Sequence, residues 1–274
     1  MSANPGQGQL PGAESDEHPA EKGQSSMSKL DEYRQVLREL EVWEPYLLEH
    51  SGLPGPRGNL ELAQAAAEEG SQDQFEAFLA YNAEIAPTND PHEFLAFCGV
   101  VGMGRLVAEG DRRWLPVIRR HASDPRWRLR EGVAMALQRW GRADMAALLD
   151  EMQAWSKGGF LEQRAVAAGL CEPDLLQDAA AVRQVLALLD GITASMVEAQ
   201  DRKSEDFKAL RKGMAYCWSV AAAALPGEGK AAMQRWFTSA DPDVRWIMKE
   251  NLKKKRLERM DAKWVAQALR RLGD

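Results

Sequence analysis

Four arginines, Arg130, Arg164, Arg211 and Arg245, recur at spacings of 34, 47 and 34 residues, and each opens a similar apolar stretch. A guanidinium presents a planar fork of N–H donors that matches carboxylates and phosphates, so a line of them is equipped to hold an acidic chain or a phosphate backbone. Lys212 adjoins Arg211, and Lys249 follows Arg245 by four residues, the spacing at which two side chains share a helix face. Arg130, Arg164, Arg211, Lys212, Arg245 and Lys249 are therefore the candidate binding residues, a basic stripe reinforced by Arg126, Arg128, Lys208 and the run Lys253, Lys254, Lys255, Arg256. Two roles stay open for the arginines. They either bond aspartates of neighbouring turns, with Asp124 and Asp241 as natural partners, or they face a ligand.

Other chemistries find little support. The histidines, His18, His50, His92 and His121, stand apart, and none has a second His or Cys at ligand spacing, so no metal or cofactor is expected. A serine nucleophile would need the GxSxG turn, which is missing. The pairs Glu68/Glu69 and Asp73/Glu76 sit in acid-rich helical stretches and read as solvated faces. Cys98, Cys171 and Cys217 are widely spread inside apolar segments and read as small core residues. No catalytic residue is assigned.

The elements that must position the stripe follow from periodicity. Around the four arginines the segments read LREGVAMAL, QRAVAAGLC, LRKGMAYCW and VRWIMKENL. Positions −1, +3 and +7 relative to each arginine are mostly apolar and fall on one face of a helix, so each segment buries one stripe. Self-similarity at this period marks stacked helical repeats. The punctuation agrees. Ser28/Asp31, Ser71/Gln74 and Asp90/Pro91/Glu93 have capping-box spacing, Asn59 is placed to cap a helix that Gly70 ends, and Asp111, Asp124 and Asp241 precede further helices. Gly99, Gly102 and Gly104 in a helix over 91–109 imply close helix packing.

No period-2 apolar run occurs, so the fold is expected to be all-α, with about 11 to 13 helices. Those after 110 pair as 112–121 with 125–140, 143–156 with 160–170, 178–199 with 206–224, and 228–238 with 242–256. A capping helix follows over 261–272. Residues 1–26, rich in Gly, Pro, Ser and Gln, are expected to form a disordered tail. Residues 27–110 form an acidic helical region, and 111–274 the repeat region. Within the first of these, the stretch SGLPGPRGN, residues 51–59, is stiffened by its prolines, and it lacks the spacing and lysine of a phosphate loop.

The net charge of −6 conceals an asymmetry: residues 30–110 hold 15 acids against 4 bases, and residues 202–274 hold 17 bases against 9 acids. The bases either solvate helix faces or meet an acidic partner or phosphate backbone. No run of 18 apolar residues occurs, so no membrane partner is expected, and a reducing cytoplasm is the default location.

The segments ASDPRWRLREGVAMAL and SADPDVRWIMKENL resemble the turn and second helix of HEAT repeats, in which an aspartate-containing turn leads to an apolar residue and an arginine. Asp241, Val244 and Arg245 fit that pattern, and Asp124 and Arg130 lie two residues further apart than it expects. The resemblance implies a right-handed α-solenoid of antiparallel helix pairs whose inner helices line a concave binding surface. The C-terminal rhythm around LRKGMAYCW is also similar to alkylpurine DNA glycosylases built from HEAT-like repeats. Their paired-Trp and Asp segment is not found here, so no catalytic aspartate carries over. The expected function is a non-enzymatic scaffold or adaptor that holds a protein partner on a partly basic concave surface. The alternative is a nucleic-acid binder, including a divergent glycosylase-like protein.

Overall fold

A computed structural model describes residues 27–273. Its regular structure is helical throughout, with fourteen α-helices and no strand among the described residues. The count is one above the expected 11 to 13. Residues 1–26, expected to be disordered, lie outside the described residues.

Before the first ladder arginine come α1 (Lys29–Glu39), α2 (Glu44–His50), α3 (Leu60–Glu69), α4 (Gln72–Leu79), α5 (Glu93–Ala108) and α6 (Leu115–His121). After them come α7 (Trp127–Ala143), α8 (Met145–Trp155), α9 (Phe160–Leu170), α10 (Ala179–Val197), α11 (Glu205–Ala224), α12 (Pro226–Trp236), α13 (Pro242–Leu252) and α14 (Lys255–Gly273). Helices α1, α3, α5, α7, α9, α11 and α13 form a continuous row in which each packs on the next. Helices α8, α10 and α12 pack successively on the other side of that row, and α14 closes against α11 and α13.

The stripe around each arginine is what holds the row. Leu129, Val133 and Leu137 of α7 are buried, as are Gln163, Ala167 and Cys171 of α9 and its C-terminus. So are Leu210, Met214 and Trp218 of α11 and Val244, Met248 and Leu252 of α13. The one polar member, Gln163, donates to the Ser156 carbonyl at 3.1 Å and to Ser195 Oγ at 3.1 Å. Its burial is thus hydrogen-bonded, as a buried amide requires.

Helix α5 packs so closely that side chains would not fit. A Cβ at Gly102 would lie 2.4 Å from the Phe75 ring of α4, and one at Gly104 would lie 2.5 Å from the Ala136 Cα of α7. Gly104→Val should therefore destabilise the chain by about 1–3 kcal/mol through overpacking, read as a lower urea midpoint. An unchanged midpoint would mean that α5 and α7 can separate at no cost.

Capping follows the sequence in part. Asn59 Oδ1 accepts from Leu62 N at 3.0 Å, Ser71 and Gln74 form the full capping box, and Asp241 accepts from Val244 N at 3.0 Å. The Asp90/Glu93 box does not form. Glu93 turns back instead to accept from Asn89 N at 2.7 Å and from Arg128 at 3.0 Å. Asp124 does not cap α7 either. Its carboxylate takes Arg126 Nη2 at 2.8 Å and Nε at 2.9 Å, with both residues buried. Helix α14 begins at Lys255 and kinks at Asp261, so the helix expected over 242–256 is divided at Lys253.

Asp124 links this packing to pH. Burial acts to raise its carboxyl, but hydrogen bonds from Arg126 and His121 outweigh it and hold the group well below the ordinary 3.8. A folded-state value below the unfolded one contributes stability that is fully present above pH 3.8 and lost as pH falls below it. The urea midpoint should therefore drop as pH falls from about 4 to 2, and more shallowly in Asp124→Asn. Equal slopes would remove Asp124 from the acid sensitivity.

Helix α10, with 19 residues and a mean hydropathy of 1.3, is long and apolar enough to cross a membrane by length and composition. It carries Arg183 and Asp190, and its Val185, Leu189 and Ile192 are buried among neighbouring helices.

Candidate functional site

Trp127 marks the surface that the α5–α13 row leaves open. It precedes Arg130 by three residues, off the stripe of Leu129, Val133 and Leu137, so its indole stays 41% exposed at the start of α7. On one side of it lies a cavity of about 420 Å³ lined by Pro56, Gly58, Leu60, Phe94, Phe97, Ala134 and Met135. On the other lies a pocket of about 390 Å³ lined by Arg130, Arg164, Glu205, Lys208, Lys212 and Gly213. Trp127 lines both.

The apolar cavity owes its shape to the Pro-Gly stretch at 51–59. Arg128 Nη2 donates to the Gly55 carbonyl at 2.5 Å, Gly55 N donates to Asn89 Oδ1 at 3.0 Å, and Asn59 donates to the Tyr33 hydroxyl at 2.9 Å. These bonds tie the stretch to α7, to the turn before α5 and to α1. Pro56, Arg57 and Gly58 of this stretch form one wall of the cavity.

Three of the six candidate residues meet in the basic pocket. Arg130 Nη1 donates to the carbonyls of Asp124 at 2.6 Å and Pro125 at 3.0 Å. Arg164 reaches from α9 to Glu131 of α7. Lys212 is exposed and forms no ion pair among the described residues, while Lys208 pairs with exposed Glu205 at 2.6 Å. Burial, and then the charge of Arg164, hold the Arg130 guanidinium below its ordinary value. Arg130 Nε and Arg164 Nη1 are buried without a hydrogen-bond partner. Glu131 already supplies one anion to this pair, and the exposed Lys212 adds a further cation beside it.

The other three lie apart. Arg211 pairs with Asp243 at 3.0 Å and lies 4.0 Å above the Trp246 ring. Arg245 donates to the Leu272 carbonyl at 2.6 Å and so fastens the end of α14. Lys249 is half-buried on α13 and forms no ion pair among the described residues. Of the proposed aspartate partners, Asp124 binds Arg126 and Asp241 binds Arg202 at 2.6 Å, so neither carboxylate holds a ladder arginine. Glu68 and Glu69 are not merely solvated: Glu68 pairs with Arg139 at 2.6 Å, and Glu69 takes Arg34 at 2.6 Å and Arg38 at 2.7 Å.

A second basic patch, Lys253, Lys254, Lys255, Arg256 and Arg259, surrounds a depression of about 460 Å³. The Arg256 guanidinium lies 4.6 Å from the centre of the exposed Tyr216 ring. Trp140 and Trp218, which share helices with the stripe, are fully buried core residues. Among the described residues no group of three His, Cys, Asp or Glu side chains is placed to hold a metal ion. Cys98, Cys171 and Cys217 are buried free thiols, and burial pushes the Cys98 thiol above its ordinary range.

Comparison with family models, with curated proteins and with solved structures finds no match to this chain.

Proposed function

We propose that the chain is a HEAT-like, right-handed α-solenoid of antiparallel helix pairs that serves as a scaffold or adaptor. On this reading the row from α5 to α13 is the inner layer, and its open surface holds an acidic segment of a protein partner. The successive packing along the row and the periodic buried stripes support the architecture. The observation that carries the function is the convergence of Arg130, Arg164, Lys208 and Lys212 beside the exposed Trp127.

The ladder arginines also argue for a short acidic contact over a long phosphate track. Arg130, Arg164 and Lys212 line one pocket that Arg211 and Arg245 do not reach, so the pocket around Lys212 is a focus and not a line. Nucleic acid is the second reading, favoured by the patch at Lys253–Arg259 with Tyr216, since cations interleaved with an aromatic ring suit a single strand. Affinity capture on the full chain and on Lys208→Glu/Lys212→Glu, paired with labelled-DNA anisotropy, separates the two. A protein retained by the first and lost by the second supports the scaffold. DNA binding unaffected by the substitution supports the other reading.

A further inference from the structure

We infer that the partner segment is bipartite, with one bulky apolar side chain seated in the Phe94/Phe97/Met135 cavity and carboxylates reaching the pocket of Arg130, Arg164 and Lys212. This rests on the reading of that surface as protein-binding and adds what the partner must carry.

The cavity's volume of about 420 Å³ lies within the range that encloses a small ligand or side chain. Its walls are mostly apolar; of the four polar residues that line it, Arg128, Glu131 and Gln138 already hold partners within the chain, while Arg57 is exposed and forms no ion pair among the described residues. Arg128 binds Glu93 and the Gly55 carbonyl, and Glu131 binds Arg164. An inserted group therefore meets few free hydrogen-bond partners besides Arg57. A nucleobase placed there would leave most of its edge donors and acceptors unpaired, whereas a Phe, Leu or Met side chain loses nothing. Leu60 and Trp127, 47% and 41% exposed, form an apolar rim that would be covered at the same time.

The neighbouring pocket sets the charge. Arg130, Arg164, Lys208 and Lys212 face it, and the only carboxylate in its lining is Glu205, on the exposed surface of α11. Because Trp127 lines both cavities, anchor and carboxylates lie on either side of one side chain. A few residues of extended chain, at roughly 3.3 Å each, would link them. Neither half identifies the ligand alone. The apolar cavity would accept any hydrophobe, and the cations any anion, but the shared wall requires both on one segment.

The test is fluorescence anisotropy on the full chain with a labelled Gly/Ser peptide bearing one phenylalanine and, about three residues on, a run of glutamates. Phe→Ala in the peptide should weaken binding about tenfold or more, and Glu→Gln throughout should weaken it at least as far. Met135→Gln, uncharged and close in size, should lower affinity for the Phe peptide and leave the Ala peptide unaffected. Lys208→Glu/Lys212→Glu should act on the glutamate peptide alone, and the two effects should appear as coupling in double-mutant cycles. Circular dichroism confirms that each variant is folded.

Equal binding of the Phe and Ala peptides would overturn the inference and leave the charged-surface reading intact. No peptide binding, together with salt-sensitive capture of labelled duplex DNA, would overturn both. Binding of neither probe would overturn the inference as well.

Discussion

Replacing Glu93 with alanine should destabilise the chain by about 3–5 kcal/mol, because it strands a buried cation. Glu93 is fully buried at the first turn of α5, and Arg128, 6% exposed, donates to it at 3.0 Å from α7. The same guanidinium donates to the Gly55 carbonyl at 2.5 Å and approaches Asn89 Oδ1 at 3.3 Å. Without the carboxylate, Arg128 would keep its charge in a site that water barely reaches. Removing both partners at once, as Glu93→Met/Arg128→Met, should cost less than Glu93→Ala alone, since no unpaired charge remains. Urea unfolding reads the difference as a shift in midpoint at constant slope. A loss below about 1 kcal/mol for Glu93→Ala would mean that Arg128 finds other partners or water. The pair also fixes the 51–59 stretch, so Glu93→Ala should loosen the apolar cavity along with the fold.

The second large effect concerns binding and leaves stability alone. Lys208→Glu/Lys212→Glu should reduce affinity for an acidic ligand by about a hundredfold or more at low salt, with less loss at physiological salt. Both lysines are exposed on α11, and among the described residues the one ion pair either makes is that of Lys208 with the exposed Glu205. Stability should therefore change by no more than about 0.5 kcal/mol. Arg245→Glu/Lys249→Glu would be a poorer probe, because Arg245 holds the Leu272 carbonyl and its reversal would unfasten α14. Unchanged affinity in the folded Lys208/Lys212 variant would place the binding surface elsewhere, with the Lys253–Arg259 patch the next to test.

Much of the fold is legible in local chemistry. The stripes at Leu129/Val133/Leu137 and Val244/Met248/Leu252 announce helices, and they are buried as their spacing requires. Asn59, Ser71 and Asp241 cap where their side chains can reach free N–H groups one turn on. These features depend on neighbours within a few residues. Glu93 does not: it leaves a local role at a helix start for Arg128, which the tertiary fold brings within reach, and Asp124 gives up the capping of α7 for Arg126 two residues on. Capping and buried ion pairing compete for the same oxygens, and the buried guanidinium wins because its desolvated charge costs more to leave unpaired.

The site was half visible. Arg130, Arg164 and Lys212 stood out by type and spacing, and they line one pocket. Arg211 and Arg245 share the motif, but Asp243 and the end of α14 occupy them, and those partners come from a neighbouring helix and from the chain's far end. The apolar half was not recognised. Phe94, Phe97 and Met135 read as ordinary core in a helical pattern, and only folding the 51–59 stretch over them leaves a cavity. Trp127 did carry a signal, because a tryptophan three residues before Arg130 cannot lie on the buried stripe and must share the arginine's face.

The most direct measurement is an anisotropy titration of the full chain at low and physiological salt, with a labelled glutamate-rich peptide and a labelled DNA duplex run side by side. The proposed scaffold should bind the peptide more tightly than the duplex at physiological salt and lose the peptide in Lys208→Glu/Lys212→Glu. Tighter binding of the duplex at both salts, weakened by the same substitution, would contradict it and make the Trp127 surface a nucleic-acid site.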